Sequence, residues 1–370
     1  MAVKCIKSLQ ILVFTLIMLF FSAGVFGQEQ PHEPAETHHA EAEEKLDPAK
    51  IIMDHIKDAH EFHFFTVGHF HATIPLPVIL YHEKNGWTAF SSSKFEHGHS
   101  TYQGYKISEG VISAEDGAKV YDFSLTKNVV QMIIALTILV LLLTGIAKKY
   151  KKGVGVTSAP KGWQNAIEPV ITFVRDDVAK ANLGKKWEKY MPYLLTVFFF
   201  ILINNLFGLI PGSANVTGNT AFTIVLGVIS AVVILASTNG HFWAHVLWPP
   251  GVPFLVKLIL IPVELLGVLV IKPAALIIRL FANMVAGHII ILSFISLIFI
   301  FGAMSKGAGW GFSPISILFT VFMYFIELLV AFIQAFIFTN LTSVFIGQAF
   351  EGGHDHHDEA DGHHHDVATT

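Results

Sequence analysis

Glu264, Lys272, Arg279, His288 and Glu327 stand inside two of the most apolar stretches of this 370-residue chain. Each ionised side chain placed in hydrocarbon costs about 3 kcal/mol or more, so five together are not ordinary core composition and mark a path for an ion. The residue types suit proton movement. Imidazole titrates near neutral pH and can relay a proton. Carboxylates take up and release one, whereas a guanidinium keeps its proton and so can pair with an acid without passing the proton on. Lysine can lose its charge in such a site, and Lys272, beside Pro273, is read as snorkelling towards an interface.

The spacing adds direction. Lys272, Ala275, Arg279, Ala282, Asn283 and Ala286 are offset from Arg279 by three, four or seven residues and share one helical face. A face of small residues lets another backbone approach closely, which leaves the guanidinium as its one bulky charge. Tyr324, Glu327, Ala331 and Gln334 form a second such stripe on the last apolar segment. An antiparallel hairpin that levels Arg279 with Gln334 also nearly levels His288 with Glu327, and both registers turn close to Gly307, inside the glycine-rich stretch 302–311. His288 lies roughly 13 Å along the axis from Arg279 and on the other side of the helix, so the two do not serve one contact. Its match with Glu327 is one of height, and direct contact needs helix rotation or a bridging water. The pair is read as a relay lining an exported-side path, with Glu264 and Asn205 as further candidates for the lining.

The elements that carry these residues belong to a membrane. Hydrophobic residues make up 53% of the chain, charged residues 14%, and there are 32 Phe, a composition solvated by lipid. A formal net charge of −4 without a basic groove speaks against nucleic acid. The single cysteine, Cys5, excludes a disulfide framework and a cysteine metal site. Residues 1–27 read as a signal peptide, with Lys4 and Lys7 before a short apolar run and small residues near Gly27. Residues 28–50 read as a disordered His/Glu-rich linker. Residues 51–123 read as a small exported α+β domain, mostly β, with a helix from Ile51 to Glu61, strands at Phe64–Val67, Val78–Tyr81 and Trp87–Ser91, and a hairpin signal at Asn85-Gly86.

Residues 124–349 read as an all-α polytopic membrane domain with about five crossing helices. Val129 to Ile146 spans and ends in Lys148, Lys149, Lys151 and Lys152, which places that end in the cytoplasm. Trp163 to Lys180 is amphipathic and lies on the surface. Tyr190 to Ile210 and Ala221 to Ala236 span, and the long segments 253–301 and 315–349 form a tilted antiparallel hairpin. At 1.5 Å per residue the first of these reaches roughly 70 Å against a hydrocarbon core of about 30 Å, so it must tilt or bend, with Pro262 and Pro273 as candidate bends. Residues 350–370 read as a disordered His/Asp-rich tail without ordered ligand spacing, so no metal site and no cofactor are expected.

The run Arg279–His288, RLFANMVAGH, resembles the signature of subunit a of F-type ATP synthases, and Gln334–Phe338, QAFIF, resembles that family's last-helix motif. The similarity extends from about Ser124 to Gly347, taking in Phe173–Asp176 and Leu202–Pro211 and leaving out the domain before it. Many bacterial members carry an acid at the His288 position and a histidine at the Glu327 position. This chain has them exchanged, as mitochondrial members do, which preserves an acid and imidazole pair. The resemblance implies a non-catalytic stator channel subunit in a bacterial inner membrane, with its N-terminal domain exported and its C-terminal tail cytoplasmic. It implies two half-channels serving the carboxylates of a c-ring of proteolipid subunits, with Arg279 as the essential charge between them. His288, Glu327, Gln334, Asn283, Glu264 and Asn205 then line the proton path, and peripheral-stalk b subunits and the rest of the complex are the other partners. The competing reading is a secondary transporter or stand-alone ion channel with Arg279 binding an anionic substrate, against which stands the lack of paired internal repeats.

Overall fold

The structure is a computed structural model that describes residues 58–351 apart from 68–69, 85, 99, 109, 155–161, 211, 249–250 and 252. The expected signal segment and linker lie outside the described residues, as does the expected tail beyond Glu351; Phe350 and Glu351, expected to be disordered, continue the last helix.

Residues 58–122 carry seven strands. β1 (Glu61–Val67) pairs antiparallel with β2 (Phe70–Pro75). β3 (Pro77–His82) is the centre of a sheet flanked by β4 (Gly86–Ser91) and β7 (Val120–Asp122), and β5 (Tyr105–Ser108) pairs with β6 (Val111–Ala114). The alternation of β3 sends Val78 and Leu80 into a core with Phe95, Tyr105 and Ile112. The three expected strands fall in β1, β3 and β4, and His82 faces Gly86 across the expected hairpin. The expected helix from Ile51 to Glu61 lies outside the described residues over 51–57, and its last part is not helical. There Ala59 O accepts from Lys127 N at 2.9 Å and Asp58 Oδ1 accepts from Asn128 N at 3.3 Å, so this stretch is held across the start of the first membrane helix, satisfying amides that a helix end otherwise leaves bare.

That helix, α1 (Lys127–Lys151), has lysines in its last turn. α2 (Trp163–Phe173) runs on through a π-helical stretch, Val174–Lys180. The direction changes at Gly184, whose φ of 49° and ψ of −128° suit glycine, before α3 (Trp187–Gly208). The buried side of the π stretch, Val174, Val178 and Ala179, packs into the membrane core, so this amphipathic segment is tied to the bundle as well as lying beside it. α4 (Thr220–Ala236) is capped by Asn219, whose Oδ1 accepts from Ala221 N and Phe222 N. α5 (Gly240–Leu247) and α6 (Phe254–Leu266) follow.

The last two helices form the hairpin. α7 (Lys272–Met304) is joined to α6 by a π turn, Gly267–Ile271, and α8 (Lys306–Glu351) packs along α7. The wide turn stands just before Pro273, because proline lacks the amide that would close an α turn. The helix runs on unbroken through Pro262, so only one of the two expected interruptions forms. The hairpin turn is tighter than the glycine-rich stretch suggested: Ser305 alone is extended, and both helices continue to either side of it. Glycine explains the tightness, since a Cβ on Gly309 would stand 2.8 Å from Gly302 Cα. Among the described residues, four helical runs are long and apolar enough to cross a membrane (Lys127–Lys151, Trp163–Gly208, Phe254–Met304 and Lys306–Phe350), and α4 is a shorter apolar helix.

Asp122 ties the β domain to the membrane part, accepting from His60 Nε2 at 2.8 Å and from Ser124 N at 2.8 Å. Burial pushes its carboxyl up, but the His60 and Ser124 bonds overcome this and hold it below the ordinary carboxylate value. A depressed carboxyl contributes stability above its unfolded value, near pH 4, and loses it as pH falls through the folded value. Hydrogen exchange over residues 58–127 in the purified complex should therefore quicken below about pH 4. Asp122→Ala should show the faster exchange already at pH 7, by about 1.5 to 3 kcal/mol of lost charged hydrogen bonding.

Candidate functional site

The hairpin is stitched along its length by polar side chains that would otherwise be stranded among apolar ones. Near the turn Ser316 Oγ donates to Phe294 O. Next, His288 Nδ1 meets Glu327 Oε1 at 2.7 Å, then Asn283 Nδ2 donates to Gln334 Oε1 at 2.8 Å. At the far end Lys272 Nζ donates to Gln348 Oε1 at 2.9 Å and lies over the Phe345 ring. The expected register is correct to within a helical turn. Two details differ from expectation. His288 and Glu327 touch directly, with no need of a bridging water, and Gln334 pairs with Asn283 rather than standing level with Arg279. Lys272 has a defined partner, which the sequence signalled only by a glutamine near the end of an apolar helix.

Direct contact between His288 and Glu327 depends on Gly287. A Cβ there would stand 2.6 Å from Glu327 Oε1, so the missing side chain makes room for the carboxylate. Glu327 is 3% exposed, and its Oε2 has no hydrogen-bond partner, nor has Gln334 Nε2. Asn205, on α3, reaches across to α8 and donates from Nδ2 to Ala331 O at 3.1 Å, one turn from Glu327. Its Oδ1 is also enclosed without a partner. Enclosed polar atoms of this kind are found where water or an ion completes the set. Glu264 sits apart on α6, half-buried, close enough to Lys272 to act on it electrostatically.

Arg279 is different. It is exposed, between Ala275 and Ala282, Asn283 and Ala286 on the same exposed face, and among the described residues it has no hydrogen-bond or ion-pair partner. The partner of Glu327 is His288 and not Arg279. The inner side of α7, Leu276, Leu280 and Met284, is buried against the bundle and fixes the outward aim. Sequence reasoning missed Gly287, Gln348 and Asn182, whose Nδ2 donates to Asn340 Oδ1 and fastens the surface segment to α8. The signal available for all three was a small or amide residue at a helix contact.

A sequence-family model described as ATP synthase A chain matches residues 129–347. A protein named ATP synthase subunit a from Pelodictyon phaeoclathratiforme is 38% identical over 338 residues, 90% of this chain and 84% of its own length. The like-named protein of Chlorobium phaeobacteroides strain BS1 is 37% identical over 94% of this chain and 91% of its own length. The chain belongs to the ATP synthase A chain family. The function of that family, proton translocation in the F-type ATP synthase, is therefore its function too, and it works as a bacterial membrane protein within that complex. A third member, from Chloroherpeton thalassium, is 46% identical over 66% of this chain and 71% of its own length. Residues 51–131 match a second family, described as a domain of unknown function, DUF8433. Membership displaces the transporter and stand-alone channel readings.

Gly287→Ala tests the packing behind the pair. The added methyl should force the Glu327 carboxylate away from His288, and ATP-driven proton pumping should fall about tenfold or more while the subunit still assembles, as read by its recovery with the purified complex.

Proposed function

We propose that Arg279 is the charge that keeps two offset aqueous half-channels apart while pairing in passing with the membrane-embedded carboxylates of a rotating c-ring. What carries this reading is the guanidinium aimed outward from a face of small residues, with no partner among the described residues. A permanent cation there holds an arriving carboxylate ionised, yet neither accepts its proton nor hands one across. Each ring carboxylate releases its proton to one half-channel, meets Arg279, and is reprotonated from the other, so a gradient biases rotation. One charge crossing 100 mV supplies about 2.3 kcal/mol, so several protons accumulate for each ATP made.

His288 and Glu327 serve as the relay of the half-channel nearer the hairpin turn. A direct 2.7 Å contact supports this, because it gives a proton one short step between an imidazole and a buried acid. Asn283, Gln334 and Asn205 line the same path through their paired and enclosed amides, and Glu264 stands towards the opposite half-channel. In this reading the chain crosses five times, by α1, α3, α4, the α6–α7 run and α8, with residues 51–123 exported and the tail from residue 350 cytoplasmic. The lysines ending α1 support that orientation. The division near residue 124 is supported by the two matched families, which span 51–131 and 129–347 and so change over close to that point. Residues 1–27 act as the export signal, and peripheral-stalk b subunits hold the chain against the rotor.

In vesicles holding the whole complex, Arg279→Ala should abolish gradient-driven ATP synthesis and raise passive proton leak. Arg279→Lys should retain at most a small fraction of synthesis, since an ammonium can be deprotonated in this setting. Coupled synthesis at the native rate in Arg279→Ala would falsify the role given to this residue.

A further inference from the structure

The middle of the connection between α3 and α4, residues 214–217, is buried, although connections ordinarily run over the surface where water satisfies their backbone. Ala214, Val216 and Thr217 are enclosed, and Asn215 nearly so. The short helical turn Val216–Gly218 packs against α1, α3, α4 and α7. Gln131 of α1 holds the connection inward by a reciprocal pair, its Nε2 donating to Ala214 O at 2.6 Å and its Oε1 accepting from Ala214 N at 2.8 Å.

Apolar packing does not account for what this inward loop carries. Thr217 is 0% exposed, and its Oγ1 has no hydrogen-bond partner; Asn215 Nδ2 and Asn128 Oδ1, one turn before Gln131, are enclosed in the same way. Asn215 is not free to turn and satisfy itself. Its Oδ1 accepts from Gly218 N at 2.9 Å, and a Cβ on Gly218 would overlap the Asn215 amide. The loop also reaches the relay. Asn215 Oδ1 and Met284 Cε both lie 3.8 Å from where a Cβ of Gly208 would stand, and Met284 is one helical turn from His288. Asn204 Oδ1 and Asn205 Oδ1, on the turn of α3 before Gly208, are enclosed without partners, as is Glu327 Oε2. Enclosed donors and acceptors are thus found at the first turn of α1, in the 213–219 connection, on the last turns of α3 and at the carboxylate that His288 holds.

We infer that the 213–219 connection is a hydrated vestibule in which Thr217 and Asn215 hold the water that brings protons to His288 and Glu327. The inference rests on the relay reading above and adds residues to it. A threonine hydroxyl both donates and accepts, and the free Asn215 Nδ2 hydrogens donate. Neither side chain changes charge, so neither stores a proton. They orient a file of waters along which each molecule takes one proton and releases another, and the burial of the loop keeps that file apart from lipid.

The test uses the whole complex in vesicles. Thr217→Val keeps the shape and removes the hydroxyl, and it should lower proton conduction about tenfold, whereas Thr217→Ser should conduct as the native chain does. A Thr217→Cys variant in a Cys5→Ser background should be blocked by silver ions added on the side where residues 58–122 lie, a response that a purely structural threonine would not give. This second variant decides the matter if Thr217→Val fails to assemble. Native conduction in Thr217→Val together with an unblocked Thr217→Cys overturns the vestibule, and if Arg279→Ala still uncouples in the same vesicles the Arg279 reading stands. If Arg279→Ala remains coupled, that reading fails whatever Thr217 does.

Discussion

Charge in hydrocarbon is too costly to leave uncompensated, and the placing of nearly every polar group in the α7–α8 hairpin follows from that. Ser316, Glu327, Gln334 and Gln348 on one helix meet the Phe294 carbonyl, His288, Asn283 and Lys272 on the other. Each match fixes the height of the next, so the register is set by the need to pair polar atoms as much as by the apolar contacts around them. Against this background Arg279 is the exception, exposed and with no partner among the described residues.

Small residues make the arrangement possible. Glycine at 287 gives the Glu327 carboxylate its place, and glycine at 227 lets α4 close on the Ile277 side chain of α7. Alanine at 331 and 335 is buried where α8 meets its neighbours. In lipid the apolar effect between helices is weak, and close backbone approach with interhelical hydrogen bonds takes its place. Other small residues, Ala275, Ala282 and Ala286, leave the face around Arg279 open, so residues of one kind serve both inside and outside the bundle.

The β domain meets the membrane part through a shared boundary. Phe123 N donates to Ile79 O, Leu125 N to Pro77 O, and Asp58 lends its carboxylate to the first turn of α1. The last strand ends at Asp122 and α1 begins at Lys127, and these bonds tie the four residues between them to β3 and to the chain before it.

Much of this was legible without coordinates. The five ionisable residues, the small-residue face, the hairpin and its approximate register follow from helical periodicity, because offsets of three, four and seven residues fix a face whatever the surroundings. Strands β3 and β4, which alternate, were legible for the same reason. Sequence could not decide side-chain contact. Whether His288 touches Glu327 depends on helix rotation and on the space above Gly287, and whether the α3–α4 connection turns inward depends on Gln131, which is eighty-three residues away from the backbone it holds. Periodicity determines which residues look the same way; only the packed structure decides what stands opposite them.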